Sequence, residues 1–276
     1  MLSVTVGQVV HTMPEGEAVW GVTSLGNEIF LLLRRERDQV EVYDVITYRL
    51  QRCLTVPNAG RFVDMTSCDH YHCLYIGDRD VACVRRLDLH ASATRWPVND
   101  EPWGLSVNAA HNVIVTCRVV RKIKEFSSHG DLLRELTLPD DVINPSHTIQ
   151  SRSGQFIVGY GLGEDPIHRV CMLSADGRHI VHSHGGLCGS DTDHINVPSR
   201  LAFDNDESVY VVDVVNRRVK LLSPTLNYIR EVVSSDKLKW EPTRLYLDVQ
   251  RRCLYVTDDR WSANTYRSGR VLVFSV

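Results

Sequence analysis

Short stretches of alternating apolar and polar residues recur along the whole chain, separated by polar turns. Two of the clearest are PSRLAFDNDESVYVVD (198–213) and PTRLYLDVQRRCLYVTD (242–258). Each has a proline, an apolar strand, a polar turn and a second apolar strand that ends in Asp. Alternation with a period of two residues is typical of β-strands that bury one face. The pattern therefore predicts a protein built from β-hairpins.

The hairpin pattern occurs six times at a nearly constant spacing. The first apolar strand positions of the six copies are Val22, Met65, Leu105, Thr148, Leu201 and Leu245, at intervals of 43, 40, 43, 53 and 44 residues. A third and usually a fourth strand-like segment follow each hairpin, and four strands in a repeat of this length are typical of a propeller blade. We predict an all-β fold, a six-bladed β-propeller that occupies residues 1–276 as a single domain.

The two ends of the chain support this count. Only 31 residues follow Leu245, which is enough for three strands, and the missing fourth is available in SVTVGQVVHTM (3–13). We expect this N-terminal strand to close the last blade, because closure removes exposed sheet edges. The long insertion HGGLCGSDTDHIN (184–196) is interpreted as a glycine-rich loop between blades.

The fifth copy contains a motif that resembles an NHL repeat. The matching residues are Asn196, Pro198, Asp204, Asp213, Asn216 and Arg218-Val219. The resemblance implies a six-bladed propeller similar to the C-terminal propeller of tripartite-motif proteins, where such domains bind RNA or proteins. The chain has no RING or B-box spacing of Cys and His, so any ubiquitin-ligase activity would lie outside it.

Composition narrows the class of function. The formal net charge of −3 argues against a dedicated nucleic-acid binder, which usually carries a basic excess. No apolar run is long enough to span a membrane, so no membrane partner is expected. The eight cysteines show neither CxxC nor zinc-finger spacing, which favours a reducing, cytoplasmic setting. We expect the isolated domain to be a monomer.

The residues just before the six strand positions are expected to surround one mouth of the central channel. They are Gly21, Asp64, Gly104, His147, Arg200 and Arg244. His147, Arg200 and Arg244 would form a positive arc suited to phosphate or carboxylate, because the arginine fork matches such groups. In the alternative interpretation, Arg200 and Arg244 pair with Asp213 and Asp258 at the ends of neighbouring strands.

Charged loops on the same face provide further candidates for a binding surface. These are Arg35, Arg37, Arg79, Arg118, Arg260 and Trp261. Acidic residues are interleaved with them, whereas a phosphate backbone favours a continuous positive track. Exposed arginine beside tryptophan is typical of an interface hot spot. Trp20 and Trp103, which occupy equivalent positions, are interpreted as packing between blades.

One turn, CDHYHC (68–73), combines residue types that bind zinc. Its cysteines are expected to be strand residues that face the core. We therefore predict no metal site, and we expect no cofactor.

The predicted function is that of a non-catalytic recognition scaffold that offers one propeller face to a protein or peptide partner. An RNA-binding propeller is the alternative, supported by the fold and the positive arc. A third hypothesis is a calcium-dependent, lactonase-like hydrolase, because PEGEAVW (14–20) resembles the Glu-Gly-x-x-Trp opening of that family. Calcium needs several oxygen ligands, and the equivalent positions of other blades hold Gly, His and Arg. We therefore predict that the chain is not an enzyme.

Overall fold

Six four-stranded antiparallel sheets form a six-bladed β-propeller, as the repeat spacing predicts. The computed structural model describes residues 7–33, 39–58, 60–89, 93–262 and 265–276, and for residues 261, 262 and 265–267 it describes the backbone alone. In these ranges the only helical element is a 3₁₀ turn at Ser235–Lys237. No helix in them has the length and apolar character needed to cross a membrane.

The first three blades each take four consecutive strands, from the channel outward. They are β2 (Val19–Leu25), β3 (Glu28–Leu33), β4 (Gln39–Asp44) and β5 (Leu50–Thr55) in blade one; β6 (Phe62–Cys68), β7 (Cys73–Asp78), β8 (Cys83–Asp88) and β9 (Ala93–Pro97) in blade two; and β10 (Pro102–Val107), β11 (Val113–Cys117), β12 (Lys122–Phe126) and β13 (Leu132–Thr137) in blade three.

Blades four and five repeat this order, whereas blade six takes its outermost strand from the N-terminus. The strands are β14 (Pro145–Gln150), β15 (Phe156–Tyr160), β16 (Ile167–Leu173) and β17 (Ile180–Leu187) in blade four; β18 (Pro198–Phe203), β19 (Val209–Asp213), β20 (Arg218–Leu222) and β21 (Tyr228–Val233) in blade five; and β22 (Glu241–Asp248), β23 (Cys253–Ser262), β24 (Thr265–Ser275) and β1 (Val9–Thr12) in blade six.

The ring closes through the pairing of β1 with β24. Val9 lies opposite Phe274, and Thr12 lies opposite Leu272. This confirms the predicted role of the N-terminal strand. Because both strands belong to one blade, the two ends of the described chain are held together by backbone hydrogen bonds, and the sixth sheet has the same four strands as the others.

The predicted loop at 184–196 is wrong over its first four residues. His184–Leu187 continue β17 and pair with the first part of β16, which begins at Ile167. Gly185 has a φ of 99° inside this extension, and a Cβ there would lie 2.6 Å from the carbonyl oxygen of His168. Glycine therefore permits the strand to continue where a side chain would collide.

The apolar core consists of six clusters, each between two neighbouring blades. At the closing interface, Val22 and Ile29 of blade one pack against Tyr255 and Val273 of blade six. Each such buried side chain contributes about 1.5–3 kcal/mol through removal of apolar surface from water. The blades are therefore joined around the whole ring by packing rather than by sheet hydrogen bonds.

In three of the blades, a buried aspartate of the second strand binds the loop that enters the blade. In blade five, Asp213 accepts a hydrogen bond from the Asn196 backbone N–H (2.7 Å) and pairs with Arg218 on the third strand (2.7 Å). The same arrangement recurs as Asp78–Arg85 in blade two and as Asp258–Arg270 in blade six.

Loss of such a tie should be costly. Asp213→Ala would remove the fully buried carboxylate 2.7 Å from Arg218 and leave only Glu231, at 3.7 Å, as its acidic partner, and we expect the free energy of unfolding to fall by about 3–5 kcal/mol. Urea unfolding measures this change, with the exposed Asp206→Ala as the matched control. A loss below about 1 kcal/mol for Asp213→Ala would show that the pair contributes little.

Candidate functional site

The six residues predicted at the channel mouth form one layer across the channel. Blades one to three contribute small residues and blades four to six large ones, in the order Gly21, Asp64, Gly104, His147, Arg200 and Arg244. A Cβ on Gly21 would lie 2.7 Å from the Cβ of Met65, so the innermost strands approach too closely for a side chain there. The large side chains extend across the axis toward the small ones.

Arg200 crosses the channel to Asp64. Its Nη2 lies 2.8 Å from Asp64 Oδ1, and the two side chains are only 4% and 3% exposed. Asp64 Oδ2 also accepts a hydrogen bond from the Leu105 backbone N–H at 2.7 Å. An isolated buried charge costs several kcal/mol, so each partner depends on the other. The ion pair joins blade five to blade two.

Arg244 occupies the next part of the layer and donates hydrogen bonds to backbone carbonyls there. Its Nε donates to Trp20 O at 2.7 Å, and its Nη2 donates to Val63 O at 3.2 Å. The guanidinium lies 4.9 Å from the centroid of the Trp20 ring, within the range of a cation–π interaction. Arg244 thus joins blade six to blades one and two.

His147 completes the layer as a neutral imidazole. Nδ1 accepts the Leu201 backbone N–H at 3.3 Å, which leaves the proton on Nε2, 2.9 Å from Leu105 O. Burial, followed by the positive charge of Arg200, lowers the pKa of His147 to about 4. Both ring nitrogens are engaged, so His147 connects blades three, four and five. We call Asp64, His147, Arg200 and Arg244 the channel plug.

The plug changes the interpretation of the positive arc. The structure does bring His147, Arg200 and Arg244 together, but their side chains lie inside the channel and are buried. The alternative pairing is wrong, because Asp213 pairs with Arg218 and Asp258 pairs with Arg270. The motif residues of the fifth repeat are therefore those that tie blades to their loops.

Arg118 and Arg79 meet at Trp103, on the face that carries the loops between blades. The Arg118 guanidinium lies 3.3 Å from the centroid of the Trp103 ring, and that of Arg79 lies 5.6 Å from it. Arg79 pairs with Glu101 at 2.8 Å. Trp103 was interpreted from the sequence as packing alone, and its role as a platform for arginine was missed. We call Arg79, Trp103 and Arg118 the Arg118 site.

Arg118 has little compensation for its charge. Its Nε lies 3.4 Å from Pro145 O, and no carboxylate of the described residues is within ion-pair distance. Burial, followed by the positive charges of Arg200, Arg244 and Arg79, lowers the pKa of Arg118 to about 9. The guanidinium remains charged at neutral pH, in a position where an anion would be stabilised.

The other predicted residues do not join this site in the described part of the chain. Arg260 is exposed on β23. Arg35 and Arg37 lie outside the described residues, and so does the side chain of Trp261.

Both signs of charge alternate on the face that bears the Arg118 site. Three ion pairs lie in its loops, namely Arg79–Glu101, Arg121–Asp140 and Lys239–Glu15. The field of these pairs is short-ranged and is screened by salt. The local excess of positive charge is therefore concentrated at Arg118.

The turn at 68–73 is an aromatic cluster. His70 stacks on His111 with ring centroids 4.2 Å apart, and Tyr71 packs edge-on against both rings. Cys68 and Cys73 are buried, and burial raises the pKa of both thiols. Across the described residues, no group of three or more His, Cys, Asp or Glu side chains is placed to hold a metal ion.

His147 should make stability depend on pH. Its pKa in the folded state, about 4, lies below its ordinary value of 6.5, so only the unfolded chain takes up the proton as pH falls between these values. The free energy of unfolding should therefore decrease from about pH 6.5 to about pH 4, by about 3 kcal/mol for this group. Asp259, whose pKa is raised to about 6 by burial, acts in the opposite direction.

Comparison of variants isolates this contribution. His147→Gln should flatten the decrease measured by urea unfolding at pH 7.5 and pH 4.5, whereas exposed His179→Gln should not. A residual slope is expected from His184, whose pKa burial lowers to about 4. An equal slope in the wild type and His147→Gln would contradict the assignment.

Solved structures similar to this chain share its fold at low sequence identity. A streptogramin B lyase has a TM-score of 0.66 at 12% identity, with 96% of this chain and 88% of that chain covered. Virginiamycin B lyase from Staphylococcus aureus gives 0.64 at 10%, with 96% and 99% covered. A protein of unknown function from Bacteroides caccae gives 0.64 at 11%, with 87% and 85% covered. Sequence comparison finds no matching family model and no matching curated protein.

These similarities correct the prediction that the chain is not an enzyme. The virginiamycin B lyase propellers are enzymes, and the similarity covers nearly the whole of this chain. The absence of recognisable catalytic sequence motifs was therefore too weak a basis for that prediction. At these identities, the similarity supports the propeller fold alone and carries no residue roles to this chain.

Proposed function

We propose that this protein recognises an acidic group of a protein or peptide partner at the Arg118 site. The observation that carries the proposal is the position of the Arg118 guanidinium, over the Trp103 ring at 3.3 Å from its centroid and without a carboxylate of the described residues in ion-pair distance. The N–H edge of a guanidinium matches a carboxylate through two parallel hydrogen bonds, and contact with an aromatic ring leaves that edge unused.

The surrounding charges support an anionic ligand. The positive charges of Arg200, Arg244 and Arg79 all disfavour the protonated form of Arg118, and Asp165 offsets them only in part. The Asp165 Oδ2 already accepts hydrogen bonds from Asn144 and from the Leu162 backbone N–H. A bound carboxylate would relieve this repulsion, so its binding should be favoured beyond its direct hydrogen bonds.

A protein or peptide partner fits the face better than RNA. The ion pairs between loops interrupt any positive track, and a nucleic-acid backbone gains most from continuous positive charge. One concentrated cation beside an aromatic ring instead matches a single acidic side chain or a chain terminus.

The proposal includes a relationship to NHL-repeat propellers. The Asp, Asn and Arg of the fifth-repeat motif contact one another, since Asn216 Nδ2 donates to Asp213 at 2.9 Å and Arg218 pairs with the same carboxylate. A structural role of this kind explains why the motif residues occur together and supports the resemblance. It does not identify the partner.

The test is a selection from a displayed library of random peptides. Peptides recovered by the wild type should share an Asp, a Glu or a free carboxyl terminus at a fixed position, and synthetic versions should bind Arg118→Gln at least about tenfold more weakly, a change of about 1.4 kcal/mol. Arg178→Gln, exposed on the opposite face, is the matched control and should bind normally.

Two results would contradict the proposal. The first is a recovered set with no acidic position, or acidic peptides that bind Arg118→Gln as tightly as the wild type. The second is tighter binding to a short stem-loop RNA than to any recovered peptide, with a steep loss of that binding between low and physiological salt. The second result would favour the RNA-binding alternative.

A further inference from the structure

The channel plug closes a cavity that opens on the face opposite the Arg118 site. The cavity has a volume of about 260 Å³ and extends from the plug toward the turns between the first and second strands. A volume of this size could hold about nine water molecules, at about 30 Å³ each. It therefore suits a small molecule rather than a peptide segment.

The walls of the cavity are about equally polar and apolar, and the apolar part is formed by the innermost strands. Val107, Ala202 and Phe203 are half-buried on the innermost strands, and Ile149 and Leu247 are almost fully buried beside them. Displacement of water from an apolar wall by a ligand favours binding, by about 25 cal/mol per Å² of apolar surface that is buried. A ligand that covers this part of the wall would do so with an apolar group.

The polar groups near the mouth are already paired within the chain. The Gln150 side chain accepts from Asn108 and donates to Gly154 O, and the Ser67 hydroxyl donates to Ser24 O. Asp69 is exposed at the mouth, where its charge would repel an anionic group. A ligand with one charged end would thus place that end deep in the cavity and its apolar part outward.

Cations dominate the deep end of the cavity. Arg200 and Arg244 line it, with Asp64 as the carboxylate beside them. Arginine has five N–H donors, and the contacts described for the Arg200 guanidinium are those with Ser199 O and Asp64. Arg200 is 4% exposed and lines the cavity, and its buried Nη2, although 2.8 Å from Asp64, has no aligned hydrogen-bond acceptor among the described residues.

We infer that this cavity is a binding site for a small carboxylate with an apolar or aromatic body, whose carboxylate contacts the arginines of the plug. It is separate from the Arg118 site, because the plug lies between them. Neither site requires the other to be occupied.

The probe is 3-phenylpropionate, compared with its neutral analogue 3-phenylpropanamide by titration calorimetry. The acid should bind the wild type at least tenfold more tightly than the amide, and it should raise the melting temperature by mass action. Ala202→Phe should abolish binding because the added ring occupies the cavity without a change of charge. Exposed Ala175→Phe is the matched control and should bind normally.

A second variant serves as the test if Ala202→Phe does not fold. Val107→Phe enters the same cavity from blade three, and the comparison of acid with amide needs no variant at all. Equal affinity for acid and amide, absence of binding at millimolar probe, or undiminished binding by folded Ala202→Phe or Val107→Phe would each overturn the inference. Exposed Arg178→Gln should bind the probe within twofold of the wild type, and its failure to do so would place the probe outside this cavity.

Discussion

The buried ion pair between Arg200 and Asp64 determines how the central channel is divided. A propeller with six first strands surrounds an axial space that side chains must fill or line, and here the filling is asymmetric. Glycine or aspartate in blades one to three leaves room for His147, Arg200 and Arg244 from the opposite side. Because these side chains cross the axis, they connect blades that are not neighbours in the ring. They also separate the face that bears Arg118 from a cavity that opens on the other face.

Buried charge in this molecule serves two different purposes. The pairs Asp213–Arg218 and Asp258–Arg270 are local, since each carboxylate also accepts backbone N–H groups of the loop that enters its blade. These carboxylates replace the water molecules to which the loop N–H groups would donate in the unfolded chain. The arginines around the axis are less evenly compensated, and burial there leaves Arg118 with excess positive charge. Binding of an anionic ligand would compensate this excess positive charge.

The sequence predicted the fold well because the fold follows from local pattern. Positions such as Leu201 and Leu245 recur at the period of a blade, and the shortage of a strand after Leu245 required one from the N-terminus. The site was harder to predict because Asp64 and Arg200 are distant in sequence, and only their positions on facing blades make them partners. The pair Asp213–Arg218 joins adjacent strands, so its signal was present in the motif. Trp103 and Arg118 also adjoin at neighbouring strands of one blade, but they are not part of the motif, so their contact was not predicted.

The double-mutant cycle of Asp64→Asn and Arg200→Met tests the role of the plug most directly. Urea unfolding of the wild type, both single variants and the double variant gives the coupling energy of the pair, with the exposed pair Arg121–Asp140 as reference. For a buried pair across the channel we expect a coupling of at least about 2 kcal/mol, against about 0–1 kcal/mol for the exposed pair. A coupling below about 0.5 kcal/mol for Arg200 and Asp64 would contradict the view that their ion pair organises the channel.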